Sequence, residues 1–280
     1  MEEGTPLTLS LKFFEHKKIF FGDFESDSEL DHNFQVSDES VEVMVQREGE
    51  HLPREDYLKN LRSGESNMSV VRKQALDWIL KAHTYFGFGA WSFFLCVNYF
   101  DRFLSISKLP RGINWFTQLL ATACFQIAAK MGETKVPQYA RLHVGSPKFI
   151  FEALTIQRME LLVLNTLEWK MQAITPCSFI GYFISKITCE KHQMKSSLSK
   201  SMKLMLSIST CIDFLEFRAS EIAAAVAISV TRELEAKEIH KALSSLAMVK
   251  KERVLKCLEL MKDMSVVKVS GNLFTNESVF

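Results

Sequence analysis

From Tyr182 to Ser270 the chain contains neither glycine nor proline. These are the two strongest helix breakers, costing about 1 and about 3 kcal/mol relative to alanine, so nothing in that stretch forces the backbone out of a helix. The second half therefore reads as a succession of helices, with polar joints expected near His192, Arg218 and Lys237. Strand signals are poor. No pair of alternating runs flanks an Asn-Gly or Asp-Gly turn, and Val266 to Val269 is the one short β-branched cluster. The fold class is all-α.

The first half has helical periodicity from about Val41 onward. Val71, Ala75, Trp78 and Ala82 recur at i, i+4, i+7 and i+11, which is one face of a helix. Between Gly112 and Gly132 lies a largely apolar segment that is expected to form a deeply buried helix. Asn114 is expected to cap its start, and Gly132 suits a left-handed C-terminal position. A long helix is expected to end near Trp169. Pro176 disfavours helix at the residue before it, so a seam is expected at Ala173 to Pro176. Asp23 to Glu42 holds eight acidic residues and no lysine or arginine, a composition that buries little. The expected organisation is a mobile acidic tail over 1–38, two helical bundles over 39–172 and 173–265, and a short tail over 266–280.

Several functions are disfavoured by composition. A formal net charge of +1 offers no general grip on nucleic acid or an anionic membrane. The six cysteines form no Cys-x-x-Cys pair, so no metal and no cofactor is expected. Met1 to Phe21 mixes charged with apolar residues and is not expected to act as a secretory signal. No run approaches the roughly 18 apolar residues of a membrane helix. Phosphate-cradling glycine loops, nucleophile elbows and His-Glu-x-x-His are all missing from the sequence. A chain without them is expected to be no enzyme.

Five motifs then occur in a telling order: LDWIL (Leu76 to Leu80), NYFDRFL (Asn98 to Leu104), AAKM (Ala128 to Met131), RMELLVLNTLEW (Arg158 to Trp169) and SEIAAA (Ser220 to Ala225). Their order and spacing resemble those of the cyclins, over about residues 40 to 265. REGEHLPREDYL (Arg47 to Leu58) and the segment from Lys241 to Met261 are most similar to plant D-type cyclins. The resemblance implies two successive five-helix domains and a regulatory subunit that binds and activates a cyclin-dependent protein kinase at the G1/S transition. It also implies residence in the nucleus, although Lys250, Lys251 and Arg253 are too few to form a nuclear signal.

Arg72, Asp101, Leu119, Lys130 and Glu160 match residues that recur through cyclin boxes. In the family the first two form a structural ion pair between helices. Lys130 and Glu160 are implied to meet and to offer hydrogen bonds to the kinase backbone beside its mobile C helix, with Leu119 in the same kinase-binding set. Read from the residues alone, an internal salt bridge between two helices is the first expectation for the pair. One departure is visible: where the family commonly has two acids after Lys-apolar, this chain has Gly132 and then Glu133.

Val71, Ala75 and Trp78, with Gln118 and Leu119 from a neighbouring helix, fall on the family's docking patch for short substrate or inhibitor peptides. The alternative is an ordinary core stripe. Lys81 stands where many cyclins place an acid, which implies an altered docking preference. D-type cyclins usually carry Leu-x-Cys-x-Glu near the N-terminus for retinoblastoma-type proteins, but here Leu11 to Glu15 has Phe13 in the cysteine slot, so that partner is expected to bind weakly or not at all. A literal match, Leu255 to Glu259, lies in a helical pattern and reads as accidental. Two other readings remain: a degenerate cyclin that binds a kinase without activating it, and a cyclin-fold transcription factor, for which neither a basic face nor a zinc ribbon is present.

Overall fold

The computed structural model describes residues 36–64, 67–107, 114–142, 144, 149–188, 191–231 and 236–274. All regular structure among them is helical, and they fall into two compact units that part between Cys177 and Ser178. The cyclin C- and N-terminal halves expected from sequence divide a few residues earlier, at 172 and 173.

The first unit holds α1 (Asp38–Arg47), α2 (Asp56–Ser63), α3 (Met68–Phe86), α4 (Ala90–Ile106), α5 (Asn114–Gly132) and α6 (Ala153–Thr166). Helix α1 starts where Ser37 accepts a hydrogen bond from the Ser40 amide at 3.3 Å. Asp38 and Glu39 then face the positive end of the helix dipole. Three of the eight acids assigned to the acidic stretch, Asp38, Glu39 and Glu42, thus lie in a helix that also buries Val41 completely. The rest of that stretch lies outside the described residues.

Helix α5 is the centre of this unit, packing on α3, α4 and α6. Its buried side chains are largely small: Ala121, Ala123, Cys124, Ala128 and Ala129. Small residues let three neighbours approach one axis closely, and a helix buried on nearly all sides has no polar face. The second unit repeats this plan with α7 (Ile180–Ile187), α8 (Lys191–Ile208), α9 (Ala219–Thr231), α10 (Ala236–Ser245) and α11 (Lys251–Phe274). Here α9 packs on α7, α8 and α11 and buries Ala223, Ala224, Ala225 and Ala227.

The joints expected near His192 and Lys237 fall close to those residues, with α8 starting at Lys191 and α10 at Ala236, while a further break at Leu246–Lys250 separates α10 from α11 without any glycine or proline. Two sequence expectations about local structure are corrected. The stretch expected to be a short tail from 266 begins as helix, since α11 runs through Val266–Val269 to Phe274. Gly132 is not left-handed; that conformation belongs to Gly64 and Gly87, at φ +68° and +65°. What Gly132 provides is space. A Cβ there would lie 3.0 Å from Ser92 Cβ and 3.2 Å from the Trp91 ring, so the end of α5 and the start of α4 touch through the missing side chain.

Helices α2, α3 and α4 are joined by a polar cluster inside the first unit. Arg72 on α3 donates from Nε and Nη2 to the two Asp101 oxygens on α4, at 2.8 and 3.0 Å. The Tyr57 hydroxyl on α2 donates to the same carboxylate at 2.8 Å. The two charged side chains are only 2% and 3% exposed. Burial, then the neighbouring carboxylate, push the Tyr57 phenol well above its ordinary pKa.

Removing one charge from such a pair strands the other, at a cost of about 3–5 kcal/mol, whereas an apolar pair of similar volume is far better tolerated. Asp101→Ala and Arg72→Ala are each expected to lower stability by that amount in urea denaturation. The double variant Arg72→Met/Asp101→Leu should unfold at higher urea than either. Gly132→Ala is expected to cost about 1–3 kcal/mol in the same measurement, because Trp91 and Ser92 must move to admit one methyl.

Candidate functional site

The last turn of α5 and the middle of α6 lie against each other, and there Lys130 Nζ donates to Glu160 Oε2 at 2.6 Å. The two side chains differ in exposure, 43% for lysine and 8% for glutamate. The carboxylate is thus a covered base on which an accessible ammonium rests. Tyr139, at the start of a short 3-10 turn, closes the group: Lys130 donates to its hydroxyl oxygen at 3.1 Å. Partial burial opposes the lysine charge, but hydrogen bonds and charge from Glu160 and Tyr139 outweigh it and hold the Lys130 pKa above its ordinary value.

The two positions after Met131 are both turned to internal tasks. Gly132 fills the contact with α4 described above. The Glu133 carboxylate accepts from the Gly89 amide at 3.1 Å and from the Ser92 hydroxyl at 2.5 Å, capping the N-terminus of α4, where a negative charge is favoured. His83 reinforces the same loop. Burial depresses its pKa, and the neutral ring donates from Nε2 to the Gly89 carbonyl at 2.7 Å. Neither position after Met131 therefore presents a free carboxylate beside Lys130.

Helix α6 and its flanks carry exposed apolar residues along their length: Ile150, Leu154, Leu161, Leu162 and Trp169. Trp169 is the most strongly positioned. It and Glu168 are the described non-glycine residues with left-handed backbone, at φ +58° and +53°, a conformation that persists only where surroundings impose it. The Trp169 indole donates to Asn165 Oδ1 at 3.1 Å. Arg102 donates to the Lys170 carbonyl at 2.9 Å, and the Tyr99 hydroxyl to the Met171 carbonyl at 2.5 Å. These bonds fix the strained turn while Trp169 stays 61% exposed. In the sequence this residue appeared only as the end of a helix; its backbone conformation has no linear signature.

Leu119 is 3% exposed and packs in the interior of the unit. It can support a surface from behind but offers little to a partner directly. Val71 and Trp78 are half-buried, as is Gln118, whose amide donates to the Phe149 carbonyl at 3.2 Å. Ala75 is buried, at 3% exposure. The exposed neighbours of Trp78 on its helix are Gln74 and Lys81, at i−4 and i+3. The Trp78 ring packs edge-on against Phe125 at 5.9 Å, so the residue is half core and half surface. Its indole N–H is covered and has no partner among the described residues.

The match at Leu255 to Glu259 lies within α11, with Val254, Cys257 and Leu258 buried. Burial pushes the Cys257 thiol up to about 12. That segment cannot be read as an extended peptide. The N-terminal stretch Leu11 to Glu15 lies outside the described residues.

Comparison with known proteins bears directly on this arrangement. The family model described as the cyclin N-terminal domain matches residues 39–172, and that of the cyclin C-terminal domain matches 174–276. Cyclin-D4-1 of Arabidopsis thaliana is 48% identical over 231 residues, covering 81% of this chain and 74% of that protein. Cyclin-D3-1 of Oryza sativa subsp. japonica is 43% identical over 235 residues, 83% of this chain and 69% of that one. Among solved structures, a viral cyclin from herpesvirus saimiri superposes with a TM-score of 0.61 at 17% identity, over 70% of this chain and 84% of that one, a likeness of fold. With both halves matched and D-type relatives in two plants, this chain belongs to the cyclin family, the regulators of the cell cycle, and is of the plant D type.

Proposed function

We propose that this cyclin binds a cyclin-dependent protein kinase through the face formed by the end of α5 and by α6, and switches it on at the G1/S transition. The observation that carries this reading is the Lys130–Glu160 pair, an accessible ammonium on a covered carboxylate beside a helix whose exposed side is rich in leucine. Apolar side chains left in water around an oriented charge are what a partner interface requires. Lys130 can donate charge-assisted hydrogen bonds to backbone carbonyls of the kinase, while Ile150, Leu154, Leu161 and Trp169 supply the area.

The mechanism follows from linkage. Contact with the kinase C helix in its inward position lets that helix's glutamate pair with the ATP-orienting lysine. Such contact shifts the kinase population only by as much as the cyclin prefers the inward state, which takes several kcal/mol. The chain itself then performs no chemistry, and its place of action is the nucleus, with its kinase. Val71, Gln74, Trp78 and Lys81 are proposed as a second, separate surface for docking peptides. With a cation at Lys81, it disfavours motifs led by arginine.

Lys130→Ala and Glu160→Ala should each lower kinase affinity by roughly 30-fold or more, on the order of 2–5 kcal/mol. Trp169→Ala should lose on the order of 2 kcal/mol, as a large aromatic anchor does. Titration calorimetry gives these values, and circular dichroism should find all three variants as helical as the unchanged chain. Wild-type affinity in every variant would place the interface elsewhere. Phosphotransfer to a histone substrate should be undetectable for the purified chain, and should rise at least tenfold when the chain is added to its kinase. Tight binding with no rise would identify a cyclin that occupies the kinase without activating it, a reading to which Gly132 and the inward-turned Glu133 lend weight.

A further inference from the structure

Tyr139 does more than border the Lys130–Glu160 pair. Its hydroxyl oxygen lies 3.3 and 3.4 Å from the two Glu160 oxygens, while receiving the Lys130 N–H at 3.1 Å. The phenol thus donates to the carboxylate and accepts from the ammonium, linking both. Lys130 Nζ also stands 5.5 Å from the centre of the Tyr139 ring, within reach of a cation–π attraction. The turn that carries Tyr139 is itself tied down. Gln126 on α5 donates to the Pro137 carbonyl at 2.8 Å, and the turn packs against α6.

An ammonium has three donors. Glu160 takes one and Tyr139 a second, which leaves the third for a partner to accept, on a side chain that is 43% exposed. Without Tyr139, a lysine on four rotatable bonds would swing about one carboxylate contact, and the buried Glu160 would lose a donor in a poorly hydrated place. We propose that Tyr139 is a positioning residue of the partner-binding surface, which aims a single Lys130 N–H at the partner and keeps Glu160 satisfied when the interface closes. The proposal rests on the kinase-binding reading above. It adds a residue on a separate turn, outside both helices of the pair, whose role is to orient the lysine.

The test is a double-variant cycle on the full chain, with a purified cyclin-dependent kinase that binds the unchanged protein, using Tyr139→Phe, Lys130→Met and the two combined. Tyr139→Phe keeps the ring and removes only the hydroxyl, and a thermal melt verifies that each variant is folded. The expected result is a loss of affinity on the order of tenfold for Tyr139→Phe, the worth of one hydrogen bond to a charged group. In the Lys130→Met background the same change should alter affinity less than twofold, because there is no ammonium left to aim. A tyrosine that merely supported the fold would weaken binding equally in both backgrounds, and that result overturns the proposal. Unchanged affinity for Tyr139→Phe beside a weakened Lys130→Met also overturns it, while leaving the kinase-binding reading intact. Unchanged affinity for Lys130→Met, or no kinase that binds the unchanged chain, removes the kinase-binding reading and the proposal with it.

Discussion

The ion pair between Arg72 and Asp101, closed off from water and shared with the Tyr57 hydroxyl, is the constraint on which the first unit depends. Leucines and phenylalanines slide past one another at little cost, since apolar contact has no direction. A bidentate guanidinium–carboxylate pair at 2% and 3% exposure does not: one turn of slippage between α3 and α4 would leave two charges unpaired in the interior. Once α3 and α4 are in register, α5 has its seat, because the same helices form two of its three neighbours. The contribution of this pair is chiefly specificity of packing, with little net gain over an apolar alternative.

From that register the surface site follows. The end of α5 is pinned to the start of α4 twice, by the close approach at Gly132 and by the Glu133 carboxylate on the Gly89 amide and Ser92 hydroxyl. Lys130 lies on the turn just before these anchors, so the position of its backbone is set by packing and only its side chain needs orientation. Glu160 and Tyr139 supply that. A rigid platform of this kind limits the ordering cost that a long, flexible lysine otherwise brings to an interface. The same economy explains how Trp169 can stand exposed on a strained turn, since Asn165, Arg102 and Tyr99 hold the backbone beneath it.

The two positions after Met131, where the family resemblance implies acids, have a different fate here. Gly132 has no side chain and no room for one, and Glu133 is directed inward. The surface next to Lys130 therefore carries less negative charge than its family resemblance implies, and the proposed partner contact would draw more on the apolar residues of α6.

Much of this was legible in the linear sequence. The absence of glycine and proline from Tyr182 to Ser270, together with apolar residues at helical spacing, is enough for an all-helical chain, because local propensity and periodicity act within a few residues. The pairs Arg72 with Asp101 and Lys130 with Glu160 could be named from motif resemblance. Their contacts at 2.8 and 2.6 Å, across 29 and 30 residues, are matters of packing. Joints without glycine or proline, such as Leu246–Lys250, left no mark. Nor did the split of the row Val71, Ala75, Trp78 and Ala82 into buried alanines and half-buried Val71 and Trp78, which depends on where α5 lies. Gly132 reads locally as a left-handed cap, yet serves to admit Trp91 from another helix. Tyr139 was invisible as a site residue, since nothing in its neighbours announces that a separate turn will bring its hydroxyl between a lysine and a glutamate. The sequence by itself determined the helices and the residue types available to a surface; the tertiary structure decided which side chains meet, because hydrogen bonds and close contacts act over a few ångströms between residues that only packing brings together.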